Sequence, residues 1–125
     1  MYKLAVRRTF ISAHALIGGD WGRENSPNSH RFVLELQLEG NELDRHGFLV
    51  DIVDVERHLD GEVERYRDRL LNDLPAFEGL NPSLENFARI LASSLNERLG
   101  IPGVDSLTVV LWEDESAWAA FTIRR

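Results

Sequence analysis

The stretch RFVLELQLE, residues 31–39, alternates apolar side chains with charged or polar ones along most of its length. Its apolar side is made of Phe32, Leu34, Leu36 and Leu38. Successive side chains of an extended chain point to opposite faces, so the alternation predicts a strand with one face against a core. His30, just before the stretch, falls on the apolar side. A strand buried on one face needs partner strands and a covering layer, and the rest of the chain must supply both.

A second strand-like run precedes it in residues 3–16, KLAVRRTFISAHAL. One face of this run has Phe10, Ser12, His14 and Leu16, and the other has Ile11 and Ala13. If the two runs pair as antiparallel strands, His14 and His30 lie near the same end of the sheet. Residues 17–29 between them form a loop longer than the about 2–5 residues of an ordinary hairpin, and such a loop is usually functional or disordered.

The middle of the chain has the three- and four-residue spacing of amphipathic helices. Residues 52–71 predict a first helix, which Gly61 weakens by about 1 kcal/mol relative to alanine. A second helix is predicted within residues 81–100, where Asn81 can cap the start and Pro82 occupies the first helical position. Its apolar stripe is Leu84, Phe87, Ile90, Leu91, Leu95 and Leu99. Both helices therefore have an apolar face with which to cover the sheet.

Two more strands close the chain, SLTVVLWE at 106–113 and WAAFTIR at 118–124, joined by the polar turn DESA. The predicted order is therefore strand, strand, helix, helix, strand, strand. This order is typical of an α+β domain in which two helices cover one face of a four-stranded antiparallel sheet. Strands at both ends of the chain leave exposed sheet edges in a monomer, and joining those edges between subunits is one remedy.

The composition limits the classes of protein to which the chain can belong. A length of 125 residues with 43% apolar residues predicts a single domain, residues 1–125, with a modest core. The absence of cysteine excludes disulfides, thiolate zinc clusters and a cysteine nucleophile. A net charge of −7 with dispersed arginines argues against nucleic-acid binding. The N-terminal MYKLAVRRTF lacks the apolar run of a signal peptide, and no segment is long enough to span a bilayer, so we expect a cytoplasmic protein without a membrane partner.

A series of short motifs runs through the chain: FISAH, a long loop ending in SHRF, DIVDV, LLND, NPSLEN and LWEDESAWAAF. In order and spacing, this series resembles the 6-pyruvoyl-/6-carboxy-tetrahydropterin synthase family over nearly the whole chain. The resemblance implies a T-fold (tunnelling fold) subunit, whose four-stranded sheet joins those of its neighbours into a barrel, commonly in a hexamer of two stacked trimers. It also implies sites between subunits, where a zinc ion is held by three histidines and a pterin is anchored by a glutamate.

The zinc site implied by the resemblance is only partly present. His14 matches the family's first zinc histidine, and His30 matches the second histidine of its H-G-H motif. Asn28 stands where the first histidine of that motif belongs, and an amide oxygen is a poor zinc ligand. Glu24 or Asp20 from the loop could complete three ligands, the usual number at a catalytic zinc. Without the resemblance, His14 and His30 are also compatible with ordinary strand histidines.

The catalytic residues implied by the resemblance have largely changed. Glu24 lies four residues before Asn28, where the family usually has a cysteine and sometimes a glutamate, and a carboxylate can move protons. The family's Asp-His pair falls on Arg67 and Asp68, so the catalytic histidine is absent and Asp68 is the remaining candidate. Both acids also have an ordinary interpretation, as solvated residues of the loop and of the charged run ERYRDR.

The residues that would bind a pterin match the family better. Glu113 follows an apolar strand face, where an unpaired carboxylate is unfavourable. One carboxylate can accept both adjacent N–H donors on the pyrimidine edge of a pterin, and the resemblance makes Glu113 that anchor. Ser83 and Glu85 match the family's P-T-x-E element, whose hydroxyl and backbone N–H groups can meet ligand oxygens at a helix start. Alternatively, Glu113 simply begins a turn, while Ser83 and Glu85 cap the helix.

Two functions of different classes remain open. The first is a zinc-dependent, carbon–oxygen lyase-type pterin synthase that acts on a dihydroneopterin triphosphate-like substrate. The second is a non-catalytic T-fold oligomer that binds a pterin or a partner after loss of synthase activity. The missing histidines favour the second function, whereas the retained Glu113, His14 and His30 argue against complete loss of the site.

Overall fold

The computed structural model describes all residues, 1–125, and has the element order predicted from the sequence. The strands and helices are β1 (Tyr2–His14), β2 (Asn28–Gly40), α1 (Ile52–Glu64), α2 (Leu84–Arg98), β3 (Ser106–Trp112) and β4 (Trp118–Arg124). Three short 3-10 helices lie in the connections, one of them at Gly22–Asn25 in the long loop. The predicted α+β class is therefore confirmed. None of the helices has the length and apolar character that a membrane crossing requires.

The four strands form one antiparallel sheet in the order β1-β2-β3-β4, so that β1 and β4 are its edges. Directly paired residues lie on the same face of a sheet. Phe10 pairs with Phe32, and Leu34 pairs with Leu111, which places the apolar alternation of three strands on one common face. α1 packs against β1 and α2, while α2 packs against β3 and β4, and together they bury that face. The other face carries no helix.

The first helix is shorter than the prediction of 52–71, since α1 ends at Glu64. The apolar spacing continues through Tyr66 and Leu70, but the backbone leaves the helix and reaches a left-handed conformation at Asp68, with a φ of 58°. The chain then runs beside β1, where the Asp68 N–H donates to the Ile11 carbonyl at 2.7 Å. A parallel bridge joins Leu70 to β1 next to His14. Pairing with the sheet edge has therefore replaced the last turns of the helix.

The second helix begins later than predicted, with Ser83 and not Asn81 as its N-cap. The Ser83 hydroxyl accepts the Asn86 N–H at 3.1 Å, which is the usual bond of a capping serine. Asn81 is engaged elsewhere, because its side-chain oxygen accepts the Ile17 N–H at 2.9 Å. Asn81 thus ties the long loop to the start of α2, and the cap moves two residues along the chain.

A buried glutamate joins the two helices. Glu62 of α1 has no exposed surface, and its carboxylate accepts hydrogen bonds from the Ser94 hydroxyl at 2.8 Å and from Arg65 at 3.1 Å. The Tyr66 hydroxyl lies at 3.4 Å, and Arg98 forms an ion pair at 3.4 Å. Burial, together with the negative charge of Glu62, raises the pKa of Tyr66 to about 12. These residues are named the Glu62 cluster below.

Candidate metal and ligand site

The two histidines meet at one end of the sheet, as the antiparallel pairing predicts. Ser12 pairs with His30 and His14 pairs with Asn28, which brings the two imidazole rings to a centroid distance of 4.8 Å. The His14 side chain is only 3% exposed. Its Nδ1 lies 3.2 Å from the Pro82 carbonyl, so Nδ1 carries the proton and donates. Nε2 of His14 is buried without a hydrogen-bond partner, and in the neutral ring it is the nitrogen that is free to bind a cation.

Two carboxylates face the same pair of nitrogens. Oε1 of Glu24 lies 3.5 Å from Nε2 of His14 and 3.6 Å from Nε2 of His30. Oε1 of Glu113 lies 3.8 Å and 3.5 Å from the same two atoms. All four ligand atoms lie within 4.8 Å of one another. Donors bound at about 2.0–2.1 Å to a tetrahedral zinc ion lie about 3.3–3.4 Å apart, so the histidine–glutamate separations are close to those of a metal site, and the widest separation in the set would have to shorten further.

Asn28, at the position that the resemblance assigns to a zinc histidine, is held by hydrogen bonds of its own side chain. Its amide nitrogen donates to the backbone carbonyls of His14 at 3.1 Å and Ser26 at 2.9 Å. Its side-chain oxygen is thereby directed to His30, 2.6 Å from Nε2. In this arrangement Nε2 of His30 is the donor of that hydrogen bond. A metal ion on the same nitrogen would replace the bond and shift the ring proton to Nδ1.

Side-chain amides hold the loop that carries Glu24. Asn72 donates to the Ala15 carbonyl and accepts the Ala15 N–H, both at 2.8 Å, directly after β1. The Leu16 N–H donates to the Glu24 carbonyl at 2.7 Å, and the Asn25 side chain donates to the Leu16 carbonyl at 3.0 Å. These bonds connect Glu24 and the following Asn25 to the residues directly after β1. The sequence motif LLND contains Asn72, but nothing in the sequence identifies its partner.

A cavity of about 520 Å³ opens beside the two carboxylates, at the end of the sheet and the start of α2. Five of the residues predicted to form a site line it: His14, Glu24, Ser83, Glu85 and Glu113. A second cavity, of about 740 Å³, lies on the face of the sheet without helices, where Arg7, Arg31 and Trp112 line it. Glu113 lines both cavities. The five predicted residues are thus gathered around one space of ligand size.

Three other loop and turn residues lie apart from this cavity. Asp68 is exposed on the turn after α1 and does not line the cavity, so its catalytic role stays a prediction. Asp20 accepts the Gly22 N–H at 3.0 Å and is not one of the four clustered ligand residues. Trp21 is 43% exposed and lies against Gly19, where an added Cβ would be 2.8 Å from the indole ring.

Comparisons with known proteins agree with the site and the fold. The sequence profile described as 6-pyruvoyl tetrahydropterin synthase matches residues 3–124. The structure of 6-pyruvoyl tetrahydropterin synthase from Caenorhabditis elegans superposes with a TM-score of 0.83 and 19% identity, covering 99% of this chain and 95% of that chain. A catalytic-residue mutant of the Plasmodium vivax enzyme, with glutamate changed to alanine, superposes with a TM-score of 0.82 and 16% identity. The match covers 99% of this chain and 98% of that chain.

A more distant similarity links the chain to another pterin enzyme. Dihydroneopterin aldolase from E. coli, solved in complex with neopterin, superposes with a TM-score of 0.56 and 13% identity, covering 100% of this chain and 99% of that chain. No curated protein sequence gives a significant match. The structural likenesses are all at low identity and bear on the fold, and they confirm the T-fold predicted from the sequence.

Proposed function

This chain belongs to the 6-pyruvoyl tetrahydropterin synthase family, and from that premise we propose that it binds a pterin ring in the cavity beside Glu113. The ligand we propose is a dihydroneopterin triphosphate-like pterin, and the reaction is of the carbon–oxygen lyase type. The observation that carries the proposal is that five residues chosen from the sequence line one cavity of about 520 Å³. That volume lies within the about 300–1,000 Å³ common for small-molecule sites.

Glu113 is the proposed anchor of the ring. The backbone N–H of Glu113 donates to the Ala117 carbonyl at 3.1 Å, which closes the turn after β3 and sets the side chain at the cavity. Its side chain is 22% exposed, so a ligand can reach it. Ser83 and Glu85 lie at the start of α2, where backbone N–H groups without helical partners can meet ligand oxygens.

His14 and His30 are the proposed ligands of a divalent cation, with a carboxylate as the third. The buried, unpaired Nε2 of His14 supports this assignment, because a neutral imidazole nitrogen is the form that binds metals. When bound, a zinc ion would polarise the side-chain oxygens of the pterin and acidify its neighbouring C–H bonds. Glu24 is within reach for either proton transfer or metal ligation. The Plasmodium vivax enzyme also has a catalytic glutamate.

The test of ring binding is calorimetry with neopterin on the purified chain and on Glu113→Gln. We expect the substitution to abolish binding, because the amide cannot accept two N–H bonds in the same geometry. Glu64→Gln is the matched control, since Glu64 is an exposed acid of α1 outside the cavity. Equal affinity of Glu113→Gln and the unmodified chain would remove the anchor role.

A second function, ligand binding without turnover, is supported by the residues that have changed. Asn28 replaces a zinc histidine, and the positions of the family's Asp-His pair are Arg67 and Asp68. Asp68 is exposed and lies outside the cavity of its own chain. Under this second function, dihydroneopterin triphosphate is converted slowly or not at all. Efficient formation of a carboxy- or pyruvoyl-pterin would refute this second function.

We also propose that the chain forms a homo-oligomer, as a hexamer of two trimers, through its open sheet edges. β4 carries Trp118 and Phe121, which are 55% and 37% exposed, and the start of β1 carries Tyr2, 51% exposed, whereas β1 near Ile11 is already paired with the segment after α1. Unpaired edge strands favour association with other strands. Sedimentation analysis of the purified chain tests this, and a stable monomer at high concentration would contradict it.

A further inference from the structure

We infer that Glu24 and Glu113 both ligate the divalent cation while the cavity holds no ring, which makes a closed site of two histidines and two glutamates. The inference rests on the proposed function and deepens it, because it makes the metal and the pterin ring compete for Glu113. A site with four protein ligands is characteristic of structural zinc, whereas catalytic zinc keeps one position open. In this chain all four positions around the metal would therefore be occupied by protein ligands until a pterin ring binds.

Both carboxylates lie close to both histidines. Their Oε1 atoms lie between 3.5 and 3.8 Å from both histidine Nε2 atoms; Glu24 is nearly equidistant from the two, whereas Glu113 lies nearer His30 than His14. These four separations exceed the ligand spacing of about 3.3–3.4 Å expected around zinc by about 0.5 Å or less, and all separations in the set are within 4.8 Å, so both carboxylates can reach a cation that the two histidines hold.

The charges of the cluster match the same conclusion. Two carboxylates aimed at the same two nitrogens repel each other, and the histidine between them, His14, has its Nδ1 proton committed to the Pro82 carbonyl. If His14 is neutral, its buried Nε2 is a hydrogen-bond acceptor that faces two carboxylates, which are acceptors too. This arrangement costs free energy until a positive group enters. One divalent cation neutralises both carboxylates and supplies the missing partner of Nε2.

Other nearby oxygens are already engaged. The Asn28 amide nitrogen donates to two backbone carbonyls, and its oxygen accepts a hydrogen bond from His30. That oxygen is uncharged and is a poorer zinc ligand than a carboxylate. The Asp20 carboxylate accepts a backbone N–H within its own turn. Glu24 and Glu113 are the two acids whose oxygens lie within 4.8 Å of both histidine nitrogens. The third and fourth ligands are therefore these two.

Ring binding and metal binding then share Glu113. A carboxylate that accepts two parallel N–H bonds from a pterin uses both of its oxygens, so holding the ring would compete with ligating a cation at Glu113. His14, His30 and Glu24 would then remain to hold the cation, and three protein ligands is the usual number at a catalytic zinc. Because coupling between two binding equilibria is reciprocal, the ring weakens zinc binding by the same factor by which zinc weakens ring binding.

The experiment measures zinc affinity by competition with a chromophoric chelator, and the visible spectrum of bound Co²⁺ as a probe of coordination. We expect Glu24→Gln and Glu113→Gln each to weaken zinc binding by at least about tenfold, the lower limit for disturbing a metal site. Glu64→Gln should leave it unchanged. Saturating neopterin should weaken zinc binding to the unmodified chain and alter the Co²⁺ spectrum.

A variant that restores the family histidine keeps the inference testable if a glutamine variant folds poorly. In Asn28→His, the new imidazole should replace Glu113 as ligand, so zinc binding should become insensitive to neopterin. Zinc affinity unchanged by Glu113→Gln, independent binding of zinc and neopterin, or no zinc binding at all would overturn the inference. If zinc binds as expected but neopterin does not bind, the proposed pterin function fails while the four-ligand site stands.

Discussion

The molecule has two clusters of buried charged or titratable groups, and they differ in how far each is satisfied. The Glu62 cluster surrounds one carboxylate with Ser94, Tyr66 and two arginines, all within 3.4 Å. The cluster at the end of the sheet leaves Nε2 of His14 without any hydrogen bond. The first arrangement stabilises the contact between α1 and α2. The second leaves a buried nitrogen without a partner, which costs stability in the free protein.

The largest loss of stability is expected when the buried glutamate of the Glu62 cluster is changed to glutamine. Glu62→Gln removes the charge that two arginines and two hydroxyl groups share and places N–H donors against other donors. We expect it to lower the free energy of unfolding by about 3 kcal/mol, because hydrogen bonds to a buried charge are among the stronger ones. Urea unfolding measures the change, with Glu64→Gln as the exposed control. A loss below that of the control would show that the Glu62 cluster contributes little.

The Glu62 cluster also makes the stability of the chain depend on pH, through the hydroxyl group of Tyr66. The pKa of Tyr66 is about 12 in the folded chain, against 10.0 for the ordinary phenol. A raised folded pKa gives stability that is complete below pH 10 and is lost as the pH rises toward 12. The loss should be about 2–3 kcal/mol across that interval.

Tyr66→Phe isolates this contribution, because it removes the titrating group from the Glu62 cluster. Between pH 9 and about 12, the free energy of unfolding should fall less steeply with pH for this variant than for the unmodified chain. Tyr2→Phe serves as control, since Tyr2 is 51% exposed on β1. Parallel pH profiles for the unmodified chain and Tyr66→Phe would contradict the raised pKa.

The smallest effect is expected for Glu113→Gln in metal-free protein. Its carboxylate is partly exposed, and its nearest ring nitrogens lie at 3.5 and 3.8 Å, beyond a good hydrogen bond. Removing it also removes repulsion from Glu24. We expect the free energy of unfolding to change by less than about 0.5 kcal/mol. A loss as large as that of Glu62→Gln would make Glu113 a structural residue.

The sequence predicted the parts of the fold that depend on local periodicity. Alternation placed His14 and His30 on the core faces of two paired strands, and the antiparallel order brought them together. The end of α1 was predicted wrongly because Tyr66 and Leu70 continue the helical spacing. In the structure the Tyr66 ring packs against Phe87 of α2, and Leu70 pairs with β1. Pairing of the segment around Asp68 with the edge of β1 has no signature in the sequence.

The candidate site was predictable residue by residue but not as a geometry. Glu24 and Glu113 were each assigned a role from the family resemblance, yet their common approach to the two histidines depends on the loop and the turn that carry them. Glu62 was missed because its partner Ser94 is supplied by a helix some thirty residues away. A charged residue on a predicted amphipathic helix is ordinarily expected on the solvent side.

The position of Glu113 between two cavities has a consequence for a bound ligand. The cavity of about 520 Å³ lies on the helix side of the sheet, and that of about 740 Å³ lies on its bare side. A ligand bound to the Glu113 carboxylate would therefore lie at the border of two cavities, one on each side of the sheet. A bulky side chain introduced into one cavity would narrow that space and leave the other unchanged.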